Sequence, residues 1–277
     1  MSAQPQQKKL FYGLFIFPLL IAAGMALILS TIVFLTYEDQ SPETLISDIK
    51  SGTQSKRWQK AYELSNELNN NPNLVRNEAL INEMVHIAIN ANTYDAKTRA
   101  YIALALRHFP DSDASQKALV NLLTDPDPTV RAYSTWSLGS IGSNKVVSDI
   151  RLLLNDEESD VRKVAAYVLG VLNDQKSEKQ LTALLKDSVA DVRWNAALSL
   201  AQLGSLRGRN ILITMLDRDN LSANHELSEA EIERVMINAT RGLALIGDQD
   251  AVEVLRRISQ TEKSLKVRQA AFEAIQK

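Results

Sequence analysis

Residues 125–142 read DPDPTVRAYSTWSLGSIG, residues 156–173 read DEESDVRKVAAYVLGVLN, and residues 187–204 read DSVADVRWNAALSLAQLG. In each segment an aspartate lies six residues before an arginine, and successive segments are 31 residues apart. A fixed period of this length is the signature of a solenoid built from stacked structural units. The sequence therefore predicts a repeat array.

Each unit is predicted to contain two helices. Counted from the valine before the arginine, apolar or small residues recur at offsets 0, 4, 5, 8, 11 and 12, which place them on one face of an α-helix. A second amphipathic run precedes each aspartate, and glycine ends the following helix at Gly142 and Gly204. Weaker copies of the pattern surround Arg57, Arg99 and Val267. We therefore expect an all-α fold, an α-solenoid of about six helical pairs over residues 41–277.

The motif D-x-x-x-D/T-V-R-x-x-A-A-x-x-L-G-x-L-G resembles the HEAT-repeat family, specifically its short PBS-lyase-like type. The resemblance is strong over residues 115–204 and looser over the rest of residues 41–277. It implies an α-solenoid fold. Physical reasoning agrees, because one helical pair cannot bury its apolar face alone and neighbouring pairs must stack.

The repeated aspartates and arginines are interpreted as scaffold residues. An aspartate at this position is expected to cap the second helix, and the arginine to pair with an aspartate of its own or the next repeat. An active site needs one special position, whereas these charges recur evenly. The six residues are Asp125, Arg131, Asp156, Arg162, Asp187 and Arg193.

The composition excludes several kinds of chemistry. The 277 residues include 31 Lys and Arg, 33 Asp and Glu, 3 His and no Cys. Without cysteine there are no disulfides, thiolate metal sites or cysteine nucleophiles. A near-neutral balance argues against nucleic acid as a partner. We expect no catalytic residues, metal, cofactor or small-molecule substrate.

The N-terminal region is predicted to be a membrane anchor. Residues 10–37 contain no charged residue, and about 20 apolar residues are enough to span a bilayer. A cleaved signal peptide is the alternative, but its apolar stretch is usually about 7–15 residues long. The expected organisation is an N-terminal tip at 1–10, a transmembrane signal anchor at 11–37 in contact with the lipid bilayer, and a solenoid at 38–277.

The charges that flank this run predict its orientation. Lys8 and Lys9 precede the run, and Glu38 and Asp39 follow it. The positive-inside rule then places the N-terminus in the cytoplasm and the C-terminal domain outside it, in the periplasm if the source is a Gram-negative bacterium.

An apolar row is predicted on the second helices, opposite the core-facing stripe. The side chains at offset 6, and those at the neighbouring offsets 2 and 3, are expected to face a groove. Exposed aromatic side chains there would anchor a protein partner. Packing of these side chains between repeats is the alternative. The candidate binding residues are Tyr101, Leu104, Tyr133, Trp136, Tyr167, Trp194 and Leu198. The row also includes Trp58 and Tyr62 at its start and becomes charged at Arg241 and Glu273.

Three functions remain open from the sequence. The first is a membrane-anchored scaffold that binds a protein in the cell envelope. The second is a structural or accessory subunit of an integral membrane complex, and the third is a PBS-lyase-like enzyme on an anchor. The resemblance also extends to deoxyhypusine hydroxylase, which would require several His-Glu pairs, and this chain has only His225-Glu226. That pair lies in an insertion near residues 219–227, interpreted as a variable loop or a contact loop.

Overall fold

The computed structural model describes residues 15–36, 41–70, 77–224 and 227–276. The chain divides into two compact units, Met1–Ser41 and Pro42–Lys277. The flanking charges and aromatic residues of the expected anchor, including Lys8, Lys9 and Tyr37, lie outside the described residues.

The first unit contains helix α1 (Phe17–Thr36), whose sequence FPLLIAAGMALILSTIVFLT has no charged residue. Its side chains are described as far as Thr31, and large apolar ones such as Leu19 and Leu27 are exposed. Among the residues that the structure describes, no helix is both long enough and apolar enough to cross a membrane.

The second unit is built from helical pairs joined by short turns. Its described residues form seven pairs, compared with the six or so expected from the sequence. The pairs are α2 (Pro42–Ser51) with α3 (Gln54–Asn70), α4 (Glu78–Ile89) with α5 (Ala96–Leu106), α6 (Asp113–Asn121) with α7 (Pro128–Ile141), α8 (Val147–Leu152) with α9 (Ser159–Val171), α10 (Glu178–Leu184) with α11 (Ala190–Gln202), α12 (Arg209–Thr214) with α14 (Glu229–Ile246), and α15 (Gln249–Thr261) with α16 (Leu265–Ile275). A further short helix, α13 (Arg218–Asn224), lies between α12 and α14.

The second helices of successive pairs stack into one continuous layer. Helices α3, α5, α7, α9, α11, α14 and α16 each contact the next in this order. The predicted apolar stripe faces the core, with Val130, Leu138, Val161 and Leu169 fully buried. The periodicity therefore predicted the solenoid and its core face correctly.

Small residues allow the second helices to approach closely. A Cβ atom on Gly170 of α9 would lie 2.5 Å from Ser199 Oγ of α11. Ser199 in turn donates a 2.8 Å hydrogen bond to the carbonyl oxygen of Ala166, and Ser137 donates one of the same length to Ala103. Serine hydroxyls thus bond the backbone of the preceding repeat.

The turn after each of the three central second helices has a left-handed residue at offset 12. Gly142 and Gly204 have φ of 75°, and Asn173 occupies the equivalent position with φ of 52°. Glycine and asparagine are the residues that tolerate this conformation best.

The buried apolar residues form two clusters. The larger runs from Leu45 to Leu203, and the smaller includes Trp194 and continues to Ala271. Helix α11 contributes to both, with Leu200 in the first and Ala201 in the second. The first five pairs and the last two therefore have separate cores that meet at α11.

Candidate binding surface

An ion-pair ladder joins consecutive repeats along the turns before the second helices. Arg131 donates hydrogen bonds of 2.8 and 2.7 Å to Asp156 of the next repeat, and it also donates to the carbonyl oxygens of Asp125 and Pro126 in its own turn. Both charged side chains of the pair are buried, at 9% and 8% exposure. The arginine therefore ties its own turn to that of the following repeat.

The same contact recurs on both sides of this pair. Arg162 bonds Asp187 at 2.8 and 3.0 Å, and Arg99 pairs with Asp125. In these three cases the aspartate belongs to the next repeat, which is one of the two alternatives expected for Arg131 and Arg162.

The aspartates do not cap the second helices, contrary to the expectation from sequence. Asp125 and Asp156 each accept a hydrogen bond from the backbone N–H two residues later, which stabilises the turn itself. The residue before α7 is Asp127, and its Oδ1 accepts from the N–H groups of Thr129 and Val130. The side chain two positions after the repeated aspartate thus supplies the cap in this repeat.

The ladder stops at Arg193. This side chain donates to the carbonyl oxygens of Asp187 and Ser188, and no described residue offers it a carboxylate. The position 25 residues later, where the ladder would place its aspartate, holds Arg218. Arg218 instead pairs with Glu262, the residue in the aspartate position of the last repeat.

Ionisation in the ladder follows from these hydrogen bonds. The bond from Arg162, partly offset by burial, lowers the pKa of the Asp187 carboxyl below its ordinary value. The same bond raises the pKa of Arg162. Asp187 and Arg162 therefore keep their charges, which suits a structural role.

Aromatic rings from consecutive second helices contact one another. The Tyr101 ring centroid lies 6.3 Å from that of Trp58, 5.3 Å from that of Tyr62 and 5.8 Å from that of Tyr133. These residues belong to α3, α5 and α7, so the contacts cross two repeat boundaries. Burial, followed by the interaction with Tyr101, raises the pKa of the Tyr133 phenol.

The row continues with a stacked pair. The rings of Trp136 and Tyr167 lie 5.2 Å apart with an interplanar angle of 11°. Trp136 is 39% exposed and Tyr167 is 38% exposed. The side chains that form these ring contacts are called the aromatic row below, and they are Trp58, Tyr62, Tyr101, Tyr133, Trp136 and Tyr167.

Trp194 does not belong to an exposed surface. Its side chain is 9% exposed and packs in the smaller core cluster with Met236 and Leu243. The prediction that Trp194 lines an open groove is therefore wrong. Leu104 and Leu198 are half-buried, and Leu198 packs against the same cluster.

A pocket of about 440 Å³ opens beside the aromatic row, at the N-terminal ends of α5 and α7. It is lined by Gln54, Asp95, Ala96, Lys97, Ala100, Tyr101, Asp127, Thr129 and Tyr133. The Lys97 ammonium lies 3.2 Å from the centroid of the Trp58 ring. Lys97, Asp95 and Asp127 were not among the residues predicted from the sequence, although an aspartate directly before a helix is a recognisable capping signal.

The insertion after α12 contains α13, and Leu221 of this helix is buried. Ser228 and Glu231 form the predicted capping box at the start of α14. His225 and Glu226 lie outside the described residues. Among the residues with described positions, no group of three or more His, Asp or Glu could hold a metal ion.

Comparison with solved structures identifies similar helical-repeat folds. The complex of CpcE and CpcF of phycocyanin lyase from Nostoc sp. PCC7120 matches with a TM-score of 0.56 and 17% identity, over 87% of this chain and 96% of that chain. An engineered protein matches with a TM-score of 0.45 and 18% identity over 85% of this chain and 95% of its own. Human deoxyhypusine hydroxylase matches with a TM-score of 0.35 and 13% identity over 85% of this chain and 94% of its own.

Of these three matches only the phycocyanin lyase complex has a TM-score above 0.5, and at 17% identity it concerns the fold alone. A search of curated protein sequences returns no match. The family model of HEAT repeats matches residues 86–151 and 150–225, which together cover half of the chain. The matched residues contain the Arg–Asp ladder and most of the aromatic row, and the chain belongs to the HEAT-repeat family.

Proposed function

We propose that this protein is a membrane-tethered HEAT-repeat scaffold that binds a protein partner along its aromatic row, without catalysis. The observation that supports this most directly is the stack of Trp136 on Tyr167. Each of the two residues is more than a third exposed, in a layer whose neighbouring positions are buried.

Exposed aromatic side chains of this kind suit a binding surface. Tryptophan and tyrosine are enriched among the residues that dominate binding energy at interfaces. The ring contacts hold these side chains in place before a partner arrives, which reduces the entropy lost on binding. At the equivalent offset of the last two second helices the exposed residues are Arg241 and Glu273, so the aromatic row itself does not continue there, although Leu245 and Phe272 are also exposed on these helices.

The membrane tether is proposed from the sequence. Residues 10–37 are uncharged, and two lysines precede them while two acidic residues follow. This uncharged run extends beyond α1 at both ends, and an apolar run of more than about 20 residues suits an uncleaved anchor. The solenoid would then lie outside the cytoplasm.

A photo-crosslinking experiment tests the scaffold proposal. A photoreactive phenylalanine analogue is placed at position 136 or 167 of the full chain, and at position 152 as the control. Leu152 is also an exposed apolar residue, at 71%, but it lies on α8, a first helix. A discrete protein adduct from positions 136 and 167, absent from position 152, is expected. Equal adducts, or none from any position, would contradict the proposal.

A structural subunit of a membrane complex is the second candidate, and exposed apolar side chains along α1 favour it. In that case α1 itself would be the main contact. Replacing residues 11–36 with an unrelated uncharged transmembrane sequence separates the two functions. The scaffold keeps its crosslinks from positions 136 and 167 after the exchange, whereas the subunit loses its complex.

A further inference from the structure

We infer that the pocket beside Tyr101 and Tyr133 receives an arginine side chain from the protein partner. This inference rests on the proposed scaffold function, because it specifies one chemical feature of that partner. Three features support it: an excess of negative charge in the pocket lining, tyrosine rings beside the carboxylates, and a neighbouring aromatic face, that of Trp58, which already holds a cation.

The Trp58 face is already used by a cation. Lys97 belongs to the following repeat, and its ammonium lies 3.2 Å from the Trp58 ring centroid. Such a contact is expected from the attraction between a cation and the negative face of an aromatic ring. Among the described residues Lys97 forms no ion pair with a carboxylate. The ammonium is therefore held by the ring alone.

The pocket keeps an excess of negative charge. Asp95 and Asp127 both line it, whereas Lys97 is the only basic residue in its lining. Asp95 uses both carboxylate oxygens to bond Thr98. Asp127 uses Oδ1 to cap α7, and no described residue donates a hydrogen bond to its Oδ2. One oxygen of a carboxylate that lines the pocket therefore has no donor among the described residues.

Tyrosine rings complete the site. Tyr101 and Tyr133 line the same pocket and contact each other edge to face. A planar guanidinium can stack on an aromatic ring while it donates to a carboxylate, whereas the rounder and more strongly hydrated ammonium of lysine does so less well. Charge and shape together favour arginine over lysine or a neutral side chain.

The test uses the full-length protein in detergent micelles with 5-fluorotryptophan at its three tryptophan positions. The fluorine resonance of Trp58 is assigned from a Trp58→Phe variant. The probe is Nα-acetyl-arginine methylamide, and the control is Nα-acetyl-citrulline methylamide, which has nearly the same shape without the charge. The arginine probe should shift the Trp58 resonance saturably, and the citrulline probe should not. Equal shifts with the two probes, or no shift with either, would overturn the inference.

Three variants refine the test. Asp127→Asn retains the helix cap, because asparagine caps as well as aspartate does, but it removes the charge. It should weaken probe binding about two- to fivefold, the range of an exposed ion pair. Asp113→Asn, at an exposed aspartate in the first turn of α6, is the matched control and should leave binding unchanged. Lys97→Gln removes the internal competitor and should strengthen binding at least about twofold.

Equal effects of Asp127→Asn and Asp113→Asn, or weaker binding in Lys97→Gln, would also overturn the inference. The crosslinking experiment distinguishes this failure from failure of the scaffold function. If positions 136 and 167 still capture a partner while the arginine probe does not bind, the scaffold proposal stands and only the arginine pocket is lost.

Discussion

Arg131 and Asp156 lie 25 residues apart in sequence and form a buried two-point ion pair across a repeat boundary. Because Arg131 also bonds two carbonyl oxygens of its own turn, the pair fixes both the loop and its spacing to the next loop. Equivalent pairs at Arg99 and Arg162 extend this arrangement over four repeats.

Removing one member of this pair should be costly. Arg131→Ala leaves the buried Asp156 carboxylate without its partner, and we expect the free energy of unfolding to fall by about 3–5 kcal/mol. Arg193→Ala is the matched control, because Arg193 makes the same bonds to its own turn without a carboxylate partner. It should cost only about 1–2 kcal/mol. Urea unfolding followed by circular dichroism measures both, and equal losses would show that the ion pair adds nothing.

The ladder should also make the fold sensitive to acid. The pKa of Asp187 is lowered in the folded state, chiefly by the hydrogen bond from Arg162. Its contribution to stability is therefore complete above the unfolded value of about 3.9 and is lost as the pH falls through the folded pKa. The stability difference between wild type and Asp187→Asn should shrink below about pH 4. A difference that stays constant between pH 7 and pH 3 would contradict this assignment.

Two tryptophans on the second helices should respond differently to truncation. Trp194→Ala should lower the free energy of unfolding by about 3–5 kcal/mol, because this side chain is buried in the smaller core. Trp136→Ala should cost clearly less, because its ring is partly exposed, yet it should abolish crosslinking from position 167. Melting curves of the two variants provide the comparison. Equal destabilisation would mean that Trp136 is also a packing residue.

The close approach of α9 to α11 makes Gly170 difficult to replace. A Cβ there would lie 2.7 Å from Ser199 Cβ, so Gly170→Ala should destabilise the protein by about 1–3 kcal/mol. In the double variant with Ser199→Gly both serine contacts are removed and only the end of the flexible Gln202 side chain stays close to the new Cβ, so the combined loss should be smaller than the sum of the two single losses. Strict additivity would show that the helices separate freely.

The orientation of the proposed anchor is open to a direct test. A reporter that is active only in the cytoplasm, fused after Lys277, should be silent. Moving the two positive charges from Lys8 and Lys9 to positions 38 and 39 should invert the chain and activate the reporter. Activity in the unaltered fusion would show that the solenoid lies in the cytoplasm.

Much of the fold could be predicted from a single period. The 31-residue spacing identified the second helices, the buried valine and leucine positions, and the pairing of Arg131 and Arg162 with a repeated aspartate. These features depend on contacts that recur from one repeat to the next, so a repeat whose helices are assigned correctly predicts the same contacts in its neighbours.

The predictions that failed, and the contacts that were not predicted, concern positions at which neighbouring repeats differ. Trp194 shares its helical face with exposed residues of earlier repeats, but α11 is followed by a repeat with an inserted helix, and the tryptophan fills the core there. Lys97 and Trp58 meet across 39 residues at offsets that the periodicity does not connect. Their contact depends on side-chain conformations, which a repeat pattern does not specify.

Because the ion-pair ladder ends at Arg193, the solenoid is not expected to unfold as a single unit. Repeat arrays unfold in segments whose limits are set by the weakest boundary between neighbours. In this chain the ion-pair ladder ends at α11, and the larger hydrophobic cluster is also replaced by the smaller one there. We expect the last two repeats to open as a separate cooperative block, and amide hydrogen exchange to be faster there. The first five repeats, with all of the aromatic row, would stay folded during such an opening and could keep hold of a bound partner.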